Sequence, residues 1–124
     1  MFASVRRYRL ESGSIDDLLH LVDTDFAESV QEMDGFMAYQ VVECGNGEII
    51  TISTFKDRHS AEASMEMSAD WVRDTLSRKF DLSRLEGFVG EVAISRAWDE
   101  ASSGMLQRIE ERLPELNEKA EKAV

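Results

Sequence analysis

The sequence predicts an α+β fold in the order β-α-β-β-α-β, with a helical tail behind it. Three observations carry this. Two stretches repeat apolar residues at gaps of three and four, the mark of a helix with one buried stripe. Between them lie two strand-like runs joined by Cys44-Gly45-Asn46-Gly47. A further run of β-forming residues flanks the whole at each end. The handedness of such connections then gives one antiparallel four-stranded sheet with both helices on one face.

The first strand is expected from Phe2 to Leu10. Phe2, Ser4, Arg6, Tyr8 and Leu10 face one way, and Ala3, Val5, Arg7 and Arg9 the other. Glu11-Ser12-Gly13 turns the chain. Ser14 can cap the first helix, and Asp16 and Asp17 suit the positive end of its dipole. Its stripe is Ile15, Leu19, Val22, Phe26, Val30 and Met33, and Gly35 ends it. The hairpin from Gly35 to Phe55 turns on residues that tolerate positive φ. Asp57 or Ser60 caps a second helix reaching about Phe80, with the stripe Ala61, Met65, Ala69, Val72, Leu76 and Phe80. A connection from Asp81 to Glu86 leads into a fourth strand from Gly87 to Ala97. Phe88, Val92 and Ile94 take one face of it, and Val89, Ala93 and Ala97 the other. This is the ferredoxin-like split βαβ arrangement over 1–97. Residues 98–124 form a C-terminal extension. Met105, Leu106, Ile109 and Leu113 place a docked helix within Ser102 to Leu113, and Pro114 ends it.

Composition excludes several functions. The chain of 124 residues suffices for one domain with a real core. Its net charge of −11 and pI of about 4.6 argue against a nucleic-acid partner, which needs a concentrated positive field. The basic run Arg6-Arg7-Tyr8-Arg9 lies in a strand, where alternation divides it between two faces. No apolar run is long enough to span a bilayer, and no signal peptide is visible, so no membrane partner and a cytoplasmic location are expected. The single Cys44 excludes an internal disulfide and a cysteine-based zinc site, and reads as structural.

The hairpin is apolar on both faces. Phe36, Ala38, Val42, Ile50 and Ile52 serve one; Met37, Tyr39, Val41, Ile49 and Phe55 load the other, together with Glu43, Thr51, Ser53 and Glu91 from the hairpin and the fourth strand. Two helices cover only one face. The second, mixed face is expected to meet the sheet of another copy, giving a homodimer through sheet faces.

The stretches "MDGFMAYQVV", "EIITISTFKDRHSAEAS" and "ADWVRDTL", in this element order, resemble the dimeric α/β-barrel superfamily and within it the antibiotic-biosynthesis-monooxygenase-like group. The resemblance spans residues 1 to about 97. It implies barrels built from two sheets, with a ligand cavity between sheet and helices. It also implies relatives that include cofactor-free oxygenases, heme-degrading monooxygenases and proteins without assigned activity. The heme-degrading branch needs an Asn on the first strand, and a Trp and an iron-ligating His on the second helix. Those positions fall near Arg6, Met65 and Thr75 here, and none matches. The chain is therefore not expected to degrade heme, and no cofactor is expected.

Four residues are candidates for a ligand pocket. Trp71 lies at the margin of the second helix's stripe, one turn beyond Met67. It either lines a cavity or packs under the tail or a partner subunit. His59, at the start of that helix, is either a general base or exposed surface. Arg6, Arg7, Tyr39, Glu43, Ser53 and Glu91 are polar strand residues able to line an interior. Arg with Glu across a sheet either fixes register as an ion pair or binds an anionic or phenolic substrate. Trp71, Tyr39 and Arg7 would position and polarise a phenol. His20 sits among acidic residues on a polar helix side. Catalytic residues and metal ligands are not identifiable from these patterns.

Two functions remain open. One is a small cofactor-independent monooxygenase-like enzyme acting on an aromatic or polyketide-like molecule, which would itself activate oxygen. The other is a noncatalytic dimeric ligand-binding or accessory module. An enclosed pocket with convergent polar groups favours the first. The tail would then be a lid or an assembly clasp.

Overall fold

A computed structural model describes residues 1–76, 78–99 and 104–105. The chain divides into two units, Met1–Glu91 and Val92–Val124. In the first, β1 (Phe2–Ser12) is followed by a helix in three segments. These are α1 (Ile15–Leu21), a π-helical turn (Val22–Phe26) and α2 (Ala27–Gln31). The hairpin strands are β2 (Phe36–Gly45) and β3 (Glu48–Phe55). Then come α3 (Arg58–Trp71), a second π-helical turn (Val72–Leu76) and β4 (Asp81–Glu91). The sheet order is β2-β3-β1-β4, with every pairing antiparallel.

The local signals act as expected at three ends. Ser14 Oγ accepts from the Asp17 amide at 3.3 Å, and Asp57 Oδ1 accepts from the Ser60 amide at 2.8 Å. Asn46 and Gly47 form a two-residue hairpin loop with φ of 55° and 78°. A Cβ on Gly47 would meet the Leu10 carbonyl oxygen at 2.8 Å, so this position also needs the missing side chain.

Two element limits differ from the sequence reading. The fourth strand runs Asp81–Glu91 rather than Gly87 to Ala97, and the expected connection is its first half. The cause is pairing: Phe2 faces Glu91 and Ser12 faces Asp81, so β1 supplies a partner only over that span. Val92–Ala97 has the composition of a strand and no ladder to join. The second helix ends at Leu76, short of Phe80.

The helices pack on the face of the sheet that carries Tyr8, Tyr39, Ile49 and Phe55. With Leu18, Val22, Phe26, Val30, Ala61, Leu76 and Phe80 these build the core. Burying each large apolar side chain contributes about 1.5–3 kcal/mol. This corrects the expected division of faces. The mixed face bearing Thr51 and Ser53 lies beneath the helices, not toward a partner sheet. Alternation along β3 leaves Ile49, Thr51, Ser53 and Phe55 buried while Ile50, Ile52 and Thr54 are half-buried. Phe36 also pairs opposite Phe55, with ring centroids 6.1 Å apart, on the helix side. The open face is the more uniformly apolar one. Val5 lies between Ile52 and Phe88 in the ladder, and Val42 opposite Ile50. Phe88 is 53% exposed and Val42 46%.

Helix α3 is rotated from its expected stripe. Its buried residues are Ser60, Ala61, Ser64 and Ser68, while Ala69 is exposed and Met65 half-buried. Short hydroxyl side chains satisfy themselves locally and let the helix approach the sheet. Ser64 Oγ donates to the Ala61 carbonyl at 2.7 Å. Gly87, opposite Arg6 on β4, leaves room there for Met65, whose Cε would lie 2.8 Å from an added Cβ.

The second unit has two short strands, β5 (Trp98–Asp99) and β6 (Gly104–Met105), paired antiparallel. Gly104 and Met105 are thus extended, where a helix from Ser102 to Leu113 was expected. The remainder of that helix lies outside the described residues. No helix among the described residues is long and apolar enough to cross a membrane.

Candidate functional site

The centre of the helix-covered face is polar. Arg6, in the middle of β1, is 1% exposed. Its Nε donates to Thr51 Oγ1 at 2.8 Å, Nη1 to Ser4 Oγ at 3.0 Å, and Nη2 to Ser53 Oγ at 2.8 Å. The two-residue period of β1 and its antiparallel register with β3 place all four side chains on one surface. None of these acceptors is charged, and Arg6 makes no ion pair among the described residues. Its remaining N–H donors have no acceptor there. Burial lowers its pKa, and the nearby Arg84 lowers it further, against raising effects of Tyr8 and Tyr39. Arginine still keeps its proton throughout the physiological range.

Next to this cluster is a cavity of ≈ 20 Å³, about the space of one water. Its floor is Arg6, Tyr8, Tyr39, Ile49, Thr51 and Leu82. Its roof is Val22, Phe26, Ser68, Trp71 and Val72. Both π-helical turns contribute to the roof, Val22 and Phe26 from the first and Val72 from the second. Such turns widen a helix locally and occur often at functional sites. Phe26 lies between two rings, 5.5 Å from Tyr39 and 5.3 Å from Trp71 by centroid. Trp71 Nε1 donates to Asp25 Oδ2 at 3.1 Å, linking the two helices across the roof.

The two tyrosines differ. Tyr8 Oη and Ser68 Oγ share a hydrogen bond of 2.9 Å. The Tyr39 hydroxyl has no hydrogen-bond partner among the described residues. Burial raises its pKa, against the lowering effect of the Arg6 charge, so it stays protonated and available as a donor. Arg6 and Tyr39 therefore both keep unused donors and both line one small, mostly apolar space. An open groove of ≈ 630 Å³ lies beyond it, along Leu19, Asp23, Gln31, Phe36 and Val41. Val22 and Tyr39 line both spaces, so one layer of side chains divides them.

Of the four pocket candidates, Trp71 and Tyr39 line this cavity. Arg7 lies on the open face, half-buried, with Nη1 3.7 Å from Glu48 and Nε 3.4 Å from Glu86. His59 is exposed at the start of α3, away from the lining residues. Arg6 had been grouped with possible interior residues but not singled out. Its signal was available: it shares the strand parity of Tyr8, and serines and threonines recur on the same face. Glu43 and Glu91 are exposed. Among the described residues, no group of three or more His, Cys, Asp or Glu could hold a metal ion.

No protein-family model matches the chain, and no curated protein matches it in sequence. Solved structures do match in fold. A dimeric ferredoxin-like protein from an uncultured marine organism aligns with a TM-score of 0.58 at 14% identity, over 76% of this chain and 95% of that one. SnoaB, a cofactor-independent oxygenase from Streptomyces nogalater, also gives 0.58, at 11% identity over 76% and 94%. The ActVA-Orf6 monooxygenase of Streptomyces coelicolor, solved with nanaomycin D, gives 0.51 at 13% identity over 76% and 90%.

Proposed function

From the fold that this chain shares with the antibiotic-biosynthesis-monooxygenase-like group, we propose that it is a small monooxygenase-like protein. It takes an aromatic or polyketide-like molecule into the cavity between sheet and helices. One observation carries this reading: Arg6 and Tyr39, both largely withdrawn from solvent, keep unused donors and line a space walled by Phe26, Trp71 and aliphatic side chains. Apolar walls with a few convergent polar groups are the usual make-up of a small-molecule site. In this reading the rings stack on the ligand. Arg6 and Tyr39 donate to a phenolic or enolic oxygen and stabilise negative charge developing there. An electron-rich ligand so held would react with oxygen directly, without a bound cofactor. The neighbours titled as a cofactor-independent oxygenase and a monooxygenase support that chemistry by fold alone.

The open sheet face supports a homodimer. Val5, Ile50, Ile52, Val42 and Phe88 form an apolar centre, and Arg7, Arg9, Glu48 and Glu86 a charged margin, the usual anatomy of an interface. The dimeric neighbour is in keeping with it.

The test is oxygen uptake with 1,8-dihydroxyanthrone, an oxidisable tricyclic phenol, in the presence of a metal chelator. Uptake faster than the spontaneous rate, abolished by Arg6→Met, supports the enzyme. Saturable binding with only the spontaneous rate supports the noncatalytic binding module instead. A tricyclic ligand enters the ≈ 20 Å³ cavity only if the roof moves, for oxidation and for binding alike.

A further inference from the structure

The charge balance around Arg6 identifies the kind of oxygen a ligand brings. A buried cation is costly unless an opposite charge or a full set of hydrogen bonds offsets its lost hydration. Here the offset is incomplete. Three donors reach neutral hydroxyls, and the rest reach nothing among the described residues. No carboxylate lines the cavity. The titratable groups facing Arg6 are Tyr8 and Tyr39, neither of them a carboxylate, and burial holds the Tyr39 hydroxyl protonated. The other charge that acts on it, Arg84, has the same sign. Asp25, nearest the roof, is exposed and engaged by the Trp71 indole. The chain as a whole carries −11, so this isolated positive interior runs against the surplus of the sequence.

We infer that the counter-charge comes from the ligand: Arg6 docks an ionised oxygen, and the chain selects aromatic anions — phenolates, enolates or carboxylates — over neutral molecules of the same shape. This rests on the reading of the cavity as a ligand site. Ser4, Thr51 and Ser53 act as positioning residues. They hold the guanidinium by its three hydrogen bonds, and being neutral they leave its charge uncompensated. A carboxylate in any of those three positions would neutralise Arg6 and remove the preference.

Calorimetric titration of the full chain with 1-hydroxy-2-naphthoate and with its methyl ester separates the possibilities. The two probes share a ring system and differ in charge. The acid is expected to bind at least about tenfold more tightly, the scale of a hydrogen-bonded charge pair. Arg6→Met should bring the two affinities together, and Arg6→Lys should keep part of the difference. Equal affinities for acid and ester in the unaltered chain overturn the anionic assignment while leaving the cavity as a ligand site. Binding of neither probe overturns that underlying reading as well. Should Arg6→Met fail to fold, as judged by circular dichroism, the acid-to-ester ratio of the unaltered chain and Arg6→Lys decides the matter.

Discussion

The two faces of the sheet invert the usual arrangement. The face beneath the helices is the one with the buried polar cluster: Ser4, Arg6, Thr51 and Ser53. The face that no element of this unit covers is apolar at its centre, with Phe88 53% exposed. An antiparallel sheet with one wet face normally puts its polar residues on that face. The difference shows that burial and polarity here answer to separate demands. On the proposed reading, a ligand uses the polar groups of the covered face, and a second subunit covers the apolar centre of the open one.

The largest expected effect breaks the open side of this comparison. Unaltered protein at micromolar concentration should scatter light as twice 14.1 kDa. Ile52→Asp would bury an unpaired carboxylate at each half of a two-fold interface. It should weaken dimerisation by about 4 kcal/mol, roughly a thousandfold, and leave a monomer in the same measurement. The same substitution on a merely exposed face would change neither mass nor stability much.

Arg6→Met sharpens the covered side. It relieves the cost of a buried cation without a counter-charge but leaves the hydroxyls of Ser4, Thr51 and Ser53 without their donor, each worth about 1 kcal/mol. The two oppose each other, so urea denaturation should show a change within about 2 kcal/mol in either direction. A loss of more than 2 kcal/mol would mean that Arg6 is a structural element of the core and not a residue retained for a ligand.

The tyrosines give a finer contrast within one face. Tyr8→Phe removes the partner of the buried Ser68 hydroxyl and should cost about 1–2 kcal/mol. Tyr39→Phe removes a hydroxyl that has no partner among the described residues. It should be neutral or stabilising by up to about 1 kcal/mol while weakening ligand binding. If the two variants lose equal stability by thermal melting, the Tyr39 hydroxyl has a partner in solution and the contrast disappears.

The smallest effect lies at the start of α3. The Ser60 amide, the largest influence, holds the Asp57 carboxylate below its ordinary pKa. A folded-state pKa below the unfolded one contributes stability that is present above about pH 4 and lost as pH falls through the folded value. Asp57→Asn keeps a capping oxygen and should flatten that acid slope of the melting temperature. An unchanged slope would show that the cap is not linked to proton binding.

Much of this architecture is legible in the chain because its signals are local. Ser14 and Asp57 cap helices with their own side chains, and Asn46-Gly47 turns the hairpin by its φ preferences. The three-and-four spacing of Leu19, Val22, Phe26 and Val30 makes one stripe whatever the surroundings. These features determine element order, and with the handedness of connections they determine the antiparallel sheet.

What the tertiary structure decided was non-local. A hairpin apolar on both sides does not state which side receives the helices, because the two faces satisfy the same period. Packing against Leu18, Phe26 and Leu76 settled it for Ile49 and Phe55. The register with β1 limited β4 to Asp81–Glu91, since Val92–Ala97 looks like a strand but has no ladder to join. The serines of α3 lie outside the apolar stripe that spacing marks, yet they are the face that lets the helix close over Tyr8. Arg6 shows the division most clearly. Its parity on β1 is sequence information, but its burial beside uncharged hydroxyls is not. That depends on Thr51 and Ser53, 45 and 47 residues away, brought opposite by strand pairing.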